Sequence, residues 1–171
     1  MLCSVQLYYS FRFALIHNGI IENYGTIKEE LITRGHSFTS ETDSEVLIHL
    51  IEDIKENNDV TLGRAVRMAM EQVVGAYAIV VIDRKNPDQL IAARKGSPLV
   101  VGIGKGEFFF ASDATPIIEY TNEVVYLDDY EIAVVKDGNL EIKSDRTRGR
   151  SRSCKSVHVG PSSYQKRGPK K

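Results

Sequence analysis

Arg12-Phe13-Ala14-Leu15-Ile16-His17-Asn18-Gly19-Ile20-Ile21-Glu22-Asn23-Tyr24 is the stretch on which the reading of this chain turns. Its first five residues form an apolar run that fits a buried strand, ending at His17-Asn18-Gly19. Asn-Gly is a common turn dipeptide, and on local grounds a turn is the stronger reading. The pair has a second reading. After an apolar strand, the Asn18 amide and the unobstructed Gly19 N–H can face one spot. Two such donors are what a developing oxyanion requires, because transition-state charge must be met by groups already in place.

Working outward, a helix is expected over residues 24–34, with Ile27 and Leu31 four apart and Gly35 placed to stop it. Thr42 opens a second helix as a capping box with Glu45 three residues on. Its apolar face is Val46, Leu47, Leu50, Ile51 and Ile54. Thr61 begins a third, with Leu62, Ala65, Val66, Ala69, Met70 and Val73 as the buried stripe. After Gly75 the period changes to strand-like runs at 76–82, 90–93, 99–103 and 108–111, divided by Asn86-Pro87, Gly96-Ser97-Pro98 and Gly104-Lys105-Gly106. Asp113 is placed to cap a short turn over 114–118. Further strands are expected at 124–127 and 131–136, and Asp137-Gly138 is a tight hairpin signal leading into Leu140-Glu141-Ile142. Strands without regular helical crossovers imply antiparallel pairing, hence an α+β fold.

Composition sets the outer bounds. The chain has 171 residues, 42% hydrophobic and 26% charged, which is globular and too short for two comfortable domains. No apolar run approaches the roughly 20 residues of a membrane-spanning helix, and the first residues carry no secretory signal, so a cytoplasmic location and no membrane partner are expected. Cys3 and Cys154 give neither a disulfide framework nor a metal-ligand spacing. The net charge of −1 conceals a split, with +8 over residues 144–171 and −9 over the rest. The basic segment holds no apolar periodicity and too few burial candidates to offset ordering entropy of roughly 1–2 kcal/mol per residue, so it reads as a disordered tail. A nucleic-acid-binding role for it is the rival hypothesis. The absence of a folded reader, the single Tyr164 for stacking and the acidic body all weigh against nucleic acid as a partner.

The search for general motifs is negative. Gly102-Ile103-Gly104-Lys105-Gly106 has the glycines of a phosphate loop but no following Ser/Thr or helix, so it reads as a strand-to-strand turn. His17, His36, His49 and His158 show no metal spacing, and His49 reads as a packed or surface residue. No metal and no cofactor are expected.

Five blocks then appear in order: His17-Asn18-Gly19-Ile20-Ile21-Glu22-Asn23-Tyr24, Ser40-Glu41-Thr42-Asp43-Ser44-Glu45, Gly75-Ala76-Tyr77-Ala78, Ala92-Ala93-Arg94-Lys95-Gly96-Ser97-Pro98-Leu99 and Ala111-Ser112-Asp113-Ala114. Together, from about Phe13 to Ile142, they resemble the glutaminase domain of the glucosamine-6-phosphate synthases (glutamine–fructose-6-phosphate aminotransferases, isomerizing). These are class II glutamine amidotransferases; sibling amidotransferases share the fold but suit the Arg94 and Ala111 blocks less well. The resemblance implies an N-terminal-nucleophile hydrolase fold, an αββα sandwich, here incomplete with its first strands missing. It implies glutamine as substrate, a terminal cysteine nucleophile whose own α-amino group is the base, and ammonia passed to an isomerase domain acting on fructose 6-phosphate. Asn18 and Gly19 match the family's oxyanion-hole pair, and Asp43 the carboxylate holding the glutamine α-amino group, a charge-assisted contact. On structural grounds Asp43 also favours a helix N-terminus.

Several family features have no counterpart here. Cys3 is followed by Ser4-Val5 where the family's nucleophile is followed by Gly-Ile, and its surroundings look like an interior family stretch. Gln6-Leu7-Tyr8-Tyr9-Ser10 stands where Asn-Ala-His-Pro-His is usual, and the arginine-bearing segment that holds the glutamine carboxylate is not found. The isomerase domains are missing as well. The expected organisation is therefore a divergent leader at 1–12, a partial glutamine amidotransferase domain at 13–143 and a basic tail at 144–171. The expected character is that of a fragment, inactive by itself.

Overall fold

The computed structural model describes residues 6–144 and 151–152. In chain order the elements are β1 (Gln6–Tyr9), β2 (Phe13–Ile21), α1 (Tyr24–Thr33), α2 (Asp43–Asn58), α3 (Leu62–Gln72), β3 (Gly75–Asp83) and β4 (Asn86–Lys95). They continue as β5 (Val100–Ile103), β6 (Phe108–Ala111), β7 (Val124–Tyr126), β8 (Ile132–Lys136), β9 (Asn139–Lys143) and β10 (Ser151–Arg152). One sheet has the order β1-β2-β3-β4-β8-β9-β10 and a second the order β6-β5-β7, and every strand pair is antiparallel. The α+β expectation holds.

The helices form where the apolar period dictates. Thr42 and Thr61 cap α2 and α3, each side-chain oxygen accepting the backbone N–H three residues on. The faces read from sequence are buried: Leu31 and Ile27 on α1, Val46 through Ile54 on α2, and Leu62 through Met70 on α3, with Val73 just beyond it. They close on one face of the large sheet, against Phe13, Leu15, Ile21, Tyr77, Ile79, Val81, Ile91 and Ile132. Each fully buried side chain of this kind contributes about 1.5–3 kcal/mol. On the opposite face the small sheet covers Ala78, Ala92, Ala133, Leu140 and Ile142 with Leu99, Val101 and Leu127. Outside it, Ala114 and Ile117 pack on Val100 and Val124. Asp113 Oδ1 accepts from Thr115 N at 2.7 Å, and the segment is a run of turns rather than a helix.

Four expectations change. Asn86-Pro87 opens β4 instead of breaking the chain, and the hairpin turn is Arg84-Lys85, directly after a register shift at Ile82/Asp83. Pro87 is tolerated because the β8 ladder begins only at Gln89. The capping box is half formed: Thr42 caps Glu45 N, but the Glu45 carboxylate binds elsewhere and Thr42 N donates to Ser40 Oγ at 3.2 Å. The sheet begins at Gln6, inside the segment read as leader, with Leu7 opposite Ile16 and Tyr9 opposite Ala14. Within the basic segment, Ser151 and Arg152 pair with Lys143 and Ile142. The rest of that segment, like Cys3 and Cys154, lies outside the described residues. Asp137 and Gly138, at φ 51° and 71°, form the predicted β8–β9 turn.

Candidate active site

Asn18-Gly19 is not a turn. β2 runs on to Ile21, and Asn18 and Gly19 pair with Ala78 and Tyr77 of β3. The long-range ladder supplies on both sides what the local dipeptide preference lacks, and the turn comes only at Glu22-Asn23. Gly19 has φ 134°, and a Cβ there would lie 2.2 Å from Ala76 O and 2.7 Å from Tyr77 Cα. Only glycine fits this close approach of two strands. Side chains alternate along β2, so His17 and Ile21 are buried toward the helices while Ile16 and Ile20 face the other way and are exposed. Asn18 falls on the side of Ile16 and Ile20.

Asp43 is the first residue of α2, with Glu45 beside it in the first turn, both favoured there by the helix dipole. Its Oδ2 accepts from Ile21 N at 2.9 Å, two residues beyond Gly19. Its Oδ1 lies 3.7 Å from His17 Nδ1, and the side chain keeps 19% exposure. His17 is buried with Nδ1 2.8 Å from Ser44 Oγ, and burial holds its imidazole below the ordinary histidine range, a neighbouring Asp43 partly opposing this. A neutral His17 thus projects from β2 toward the helices, next to Asn18 and Gly19 on the same strand. The start of α2 and the end of β2 are one hydrogen-bonded unit.

Glu45 organises the approach to Asp43. It is buried, which disfavours its charge, but Thr39 N, Thr39 Oγ1, Ser40 N and Ser40 Oγ donate to it at 2.7–2.8 Å. The hydrogen bonds win and its pKa falls to about 2. Reading residue by residue missed the roles of His17, Ser44 and Glu45. The available signal was the dense hydroxyl–acid alternation of Ser40-Glu41-Thr42-Asp43-Ser44-Glu45, which local rules assign to capping. Farther off, Arg94 clamps the far end of β4, donating to Asp129 Oδ1 and Leu127 O, while Gly96 N donates to the same Asp129 oxygen. The Gly104 to Glu107 segment is the strand-to-strand turn expected, closed by Gly104 N to Glu107 O at 2.9 Å.

With this geometry in place, the comparison with known proteins is direct. Residues 6–119, two thirds of the chain, match the family described as "Glutamine amidotransferase domain". The chain belongs to the glutamine amidotransferase family. It is 56% identical over 140 residues to glutamine–fructose-6-phosphate aminotransferase [isomerizing] of Bacteroides thetaiotaomicron, a match covering 80% of this chain and 23% of that protein. It is 56% identical over 132 residues to the protein of the same name from Chlorobaculum tepidum, covering 77% and 22%. The chain thus spans less than a quarter of the length of these curated relatives. Among solved structures, a glutamine phosphoribosylpyrophosphate amidotransferase from B. subtilis matches with TM-score 0.68 at 25% identity, over 82% of this chain and 31% of that one. A glutamine aminotransferase class-II domain protein from Silicibacter pomeroyi matches with TM-score 0.59 at 14% identity, over 81% and 70%, a likeness of fold alone. The fold is that of the N-terminal-nucleophile hydrolase amidotransferases, and the described residues supply one helix layer, both sheets and the turns outside the second sheet. Among them no helix is long and apolar enough to cross a membrane.

Proposed function

We propose that this chain is part of the glutamine-hydrolysing domain of a cytoplasmic enzyme that draws ammonia from glutamine to convert fructose 6-phosphate to glucosamine 6-phosphate. In this reading the Asn18 amide and Gly19 N–H receive the oxyanion of the tetrahedral intermediate, and Asp43 holds the α-ammonium of glutamine. The observation that carries the reading is the bond from Ile21 N to Asp43 Oδ2. It ties the ammonium-binding carboxylate to the strand of the oxyanion donors, so substrate and transition-state charge are registered against each other. The Asp43 side chain keeps 19% exposure, and in this reading its second oxygen, 3.7 Å from His17 Nδ1, accepts from the ammonium group.

The experiment is a transplant. Residues 13–142 replace their counterpart in the intact Bacteroides thetaiotaomicron enzyme, and glutamate release is measured. The chimera is expected to be active, Asn18→Ala to cost about 10²–10³ in kcat, and Asp43→Ala to raise KM roughly tenfold or more. An active chimera indifferent to Asn18→Ala and Asp43→Ala overturns the assignment. The chain by itself is expected to release no glutamate from glutamine, since oxyanion donors without a nucleophile have no intermediate to stabilise. Turnover abolished by Cys3→Ala would instead make Cys3 the nucleophile.

A further inference from the structure

A group of metal-ligating side chains lies where the loop after α1 meets the middle of α2, and it includes none of Asn18, Gly19 and Asp43. One ligand atom from each of His36, His49 and Glu52 lies within 4.8 Å of the others. Sequence spacing found no such set, because thirteen residues and a chain reversal separate the two histidines. The reversal is well defined. Gly35, at φ 96°, ends α1, and Gly35 N and His36 N return to Ile32 O and Leu31 O, both at 3.0 Å. His36 is thereby set against α2, its ring 5.3 Å from that of His49.

We propose that His36, His49 and Glu52 bind a first-row divalent transition ion, zinc above all, and clasp the loop after α1 to α2. His49 and Glu52 stand three residues apart on one helix face. His49 Nδ1 and Glu52 Oε2 are 3.3 Å apart, and two ligands with bonds of about 2.0–2.1 Å on a tetrahedral ion sit about 3.3 Å apart. Two imidazoles and a carboxylate select zinc and its neighbours over magnesium or calcium, which demand oxygen. Outer-shell carboxylates are already present. Asp53, buried and held by Arg34 Nη1 and Asn57 Nδ2, faces His36 Nε2 at 3.3 Å, and Glu45 faces His49 Nε2 at 4.0 Å. Phe38 packs edge-on against His49 at 5.0 Å and fixes its ring. The three ligands keep 14–17% exposure, enough for an ion to enter. A cavity of about 720 Å³, lined in part by Tyr8, Ser10, Glu45, His49 and Glu52, gives room for a water as fourth ligand.

The test uses the whole chain with Cys3→Ser and Cys154→Ser, which removes thiolate ligands from the competition. Zn²⁺ and Co²⁺ are titrated separately by calorimetry, and the thermal midpoint is followed with each. Expected are one saturable site and a midpoint raised by about 5 °C or more at a hundredfold excess over Kd, with no rise from Mg²⁺ or Ca²⁺. His36→Gln and His49→Gln are each expected to weaken binding at least tenfold. Paramagnetically shifted proton signals from the His36 and His49 rings in the Co²⁺-loaded parent answer the question even if a variant fails to fold. No saturable binding, or binding whose shifted signals come from His17 or His158, overturns the proposal and leaves plain histidine–carboxylate hydrogen bonds.

Discussion

The two ends of the large sheet are finished differently. At β4 and β8 both faces are covered, by helices on one side and the β6-β5-β7 sheet on the other, and β9 adds Leu140 and Ile142 to the buried Ala92 and Ala133 beneath the small sheet. At β1 and β2, among the described residues, only the helix face is covered. On the other, Ile16, Leu7, Ile20 and Tyr9 stand 40%, 62%, 68% and 73% exposed, and the following Phe11 is 92% exposed. The open end is the more apolar in sequence, with nine apolar residues of thirteen in β1 and β2 against ten of twenty in β4, β8 and β9, so the difference does not come from residue type. It comes from which layer lies above each strand. An apolar strand is written for two covers, and the small sheet reaches only half of the large one.

The comparison is tested most severely inside the closed face. Phe13→Ala or Leu47→Ala is expected to cost about 3–5 kcal/mol in urea unfolding, while Ile20→Ala on the open face costs under about 0.5 kcal/mol. Equal losses would mean that the open face is covered in solution. Gly19→Ala probes the backbone of the open end and is expected to cost about 3 kcal/mol, because the new Cβ meets Ala76 O in a conformation L-residues avoid. Gly138→Ala, at φ 71° with open space around it, should cost only about 1 kcal/mol. The difference between the two, read by the same unfolding measurement, isolates the close strand approach.

Acid separates the two ends in another way, since the titrating groups lie on β2, on α2 and at the end of β3. Glu45 has its pKa lowered to about 2, so its stabilisation is complete above about pH 4.5 and lost as pH falls toward 2. Asp83, bound to Arg12, and Glu52, bound to His49, are also lowered and act in the same direction. His17 is lowered too, so the unfolded chain takes up its proton first and stability begins to fall as pH drops through about 6.5. Stability is therefore expected to decline in two stages. Glu45→Gln should cost about 2 kcal/mol at neutral pH and flatten the lower stage, and His17→Asn should remove the upper one. A single steep transition in both variants would refute this division. The smallest effect on stability is expected from Leu7→Lys with Ile16→Lys, within about 0.5 kcal/mol of the parent. In sedimentation the parent should associate as concentration rises through the apolar face of β1 and β2 that the described residues leave open, and the double variant should not.

What could be read from the chain alone follows the range of the interaction. The α3 stripe from Leu62 to Val73 was legible to the residue, because helical period and burial are the same fact seen twice. The Asp137-Gly138 hairpin was legible for the same reason of locality. Asn18-Gly19 was not: its dipeptide preference favours a turn, and only pairing with Ala78 and Tyr77, some sixty residues on, makes it strand. Asn86-Pro87 failed likewise, since the tolerance for proline there depends on where the β8 ladder starts.

The candidate site divides along the same line. The resemblance carried by five short blocks located Asn18, Gly19 and Asp43, but not that Asp43 would bind Ile21 N or that His17 would lie buried against Ser44. The sequence by itself determined the helices, their buried faces, most of the strands and the family, since these rest on contacts a few residues apart and on order along the chain. Only the tertiary structure decided that Glu45 holds the Thr39–Ser40 loop instead of its own helix cap, and that His36 meets His49. Both are choices among competing partners of similar local strength, and a choice of that kind is settled by which groups the packed sheet and helices bring within about 3 Å of each other.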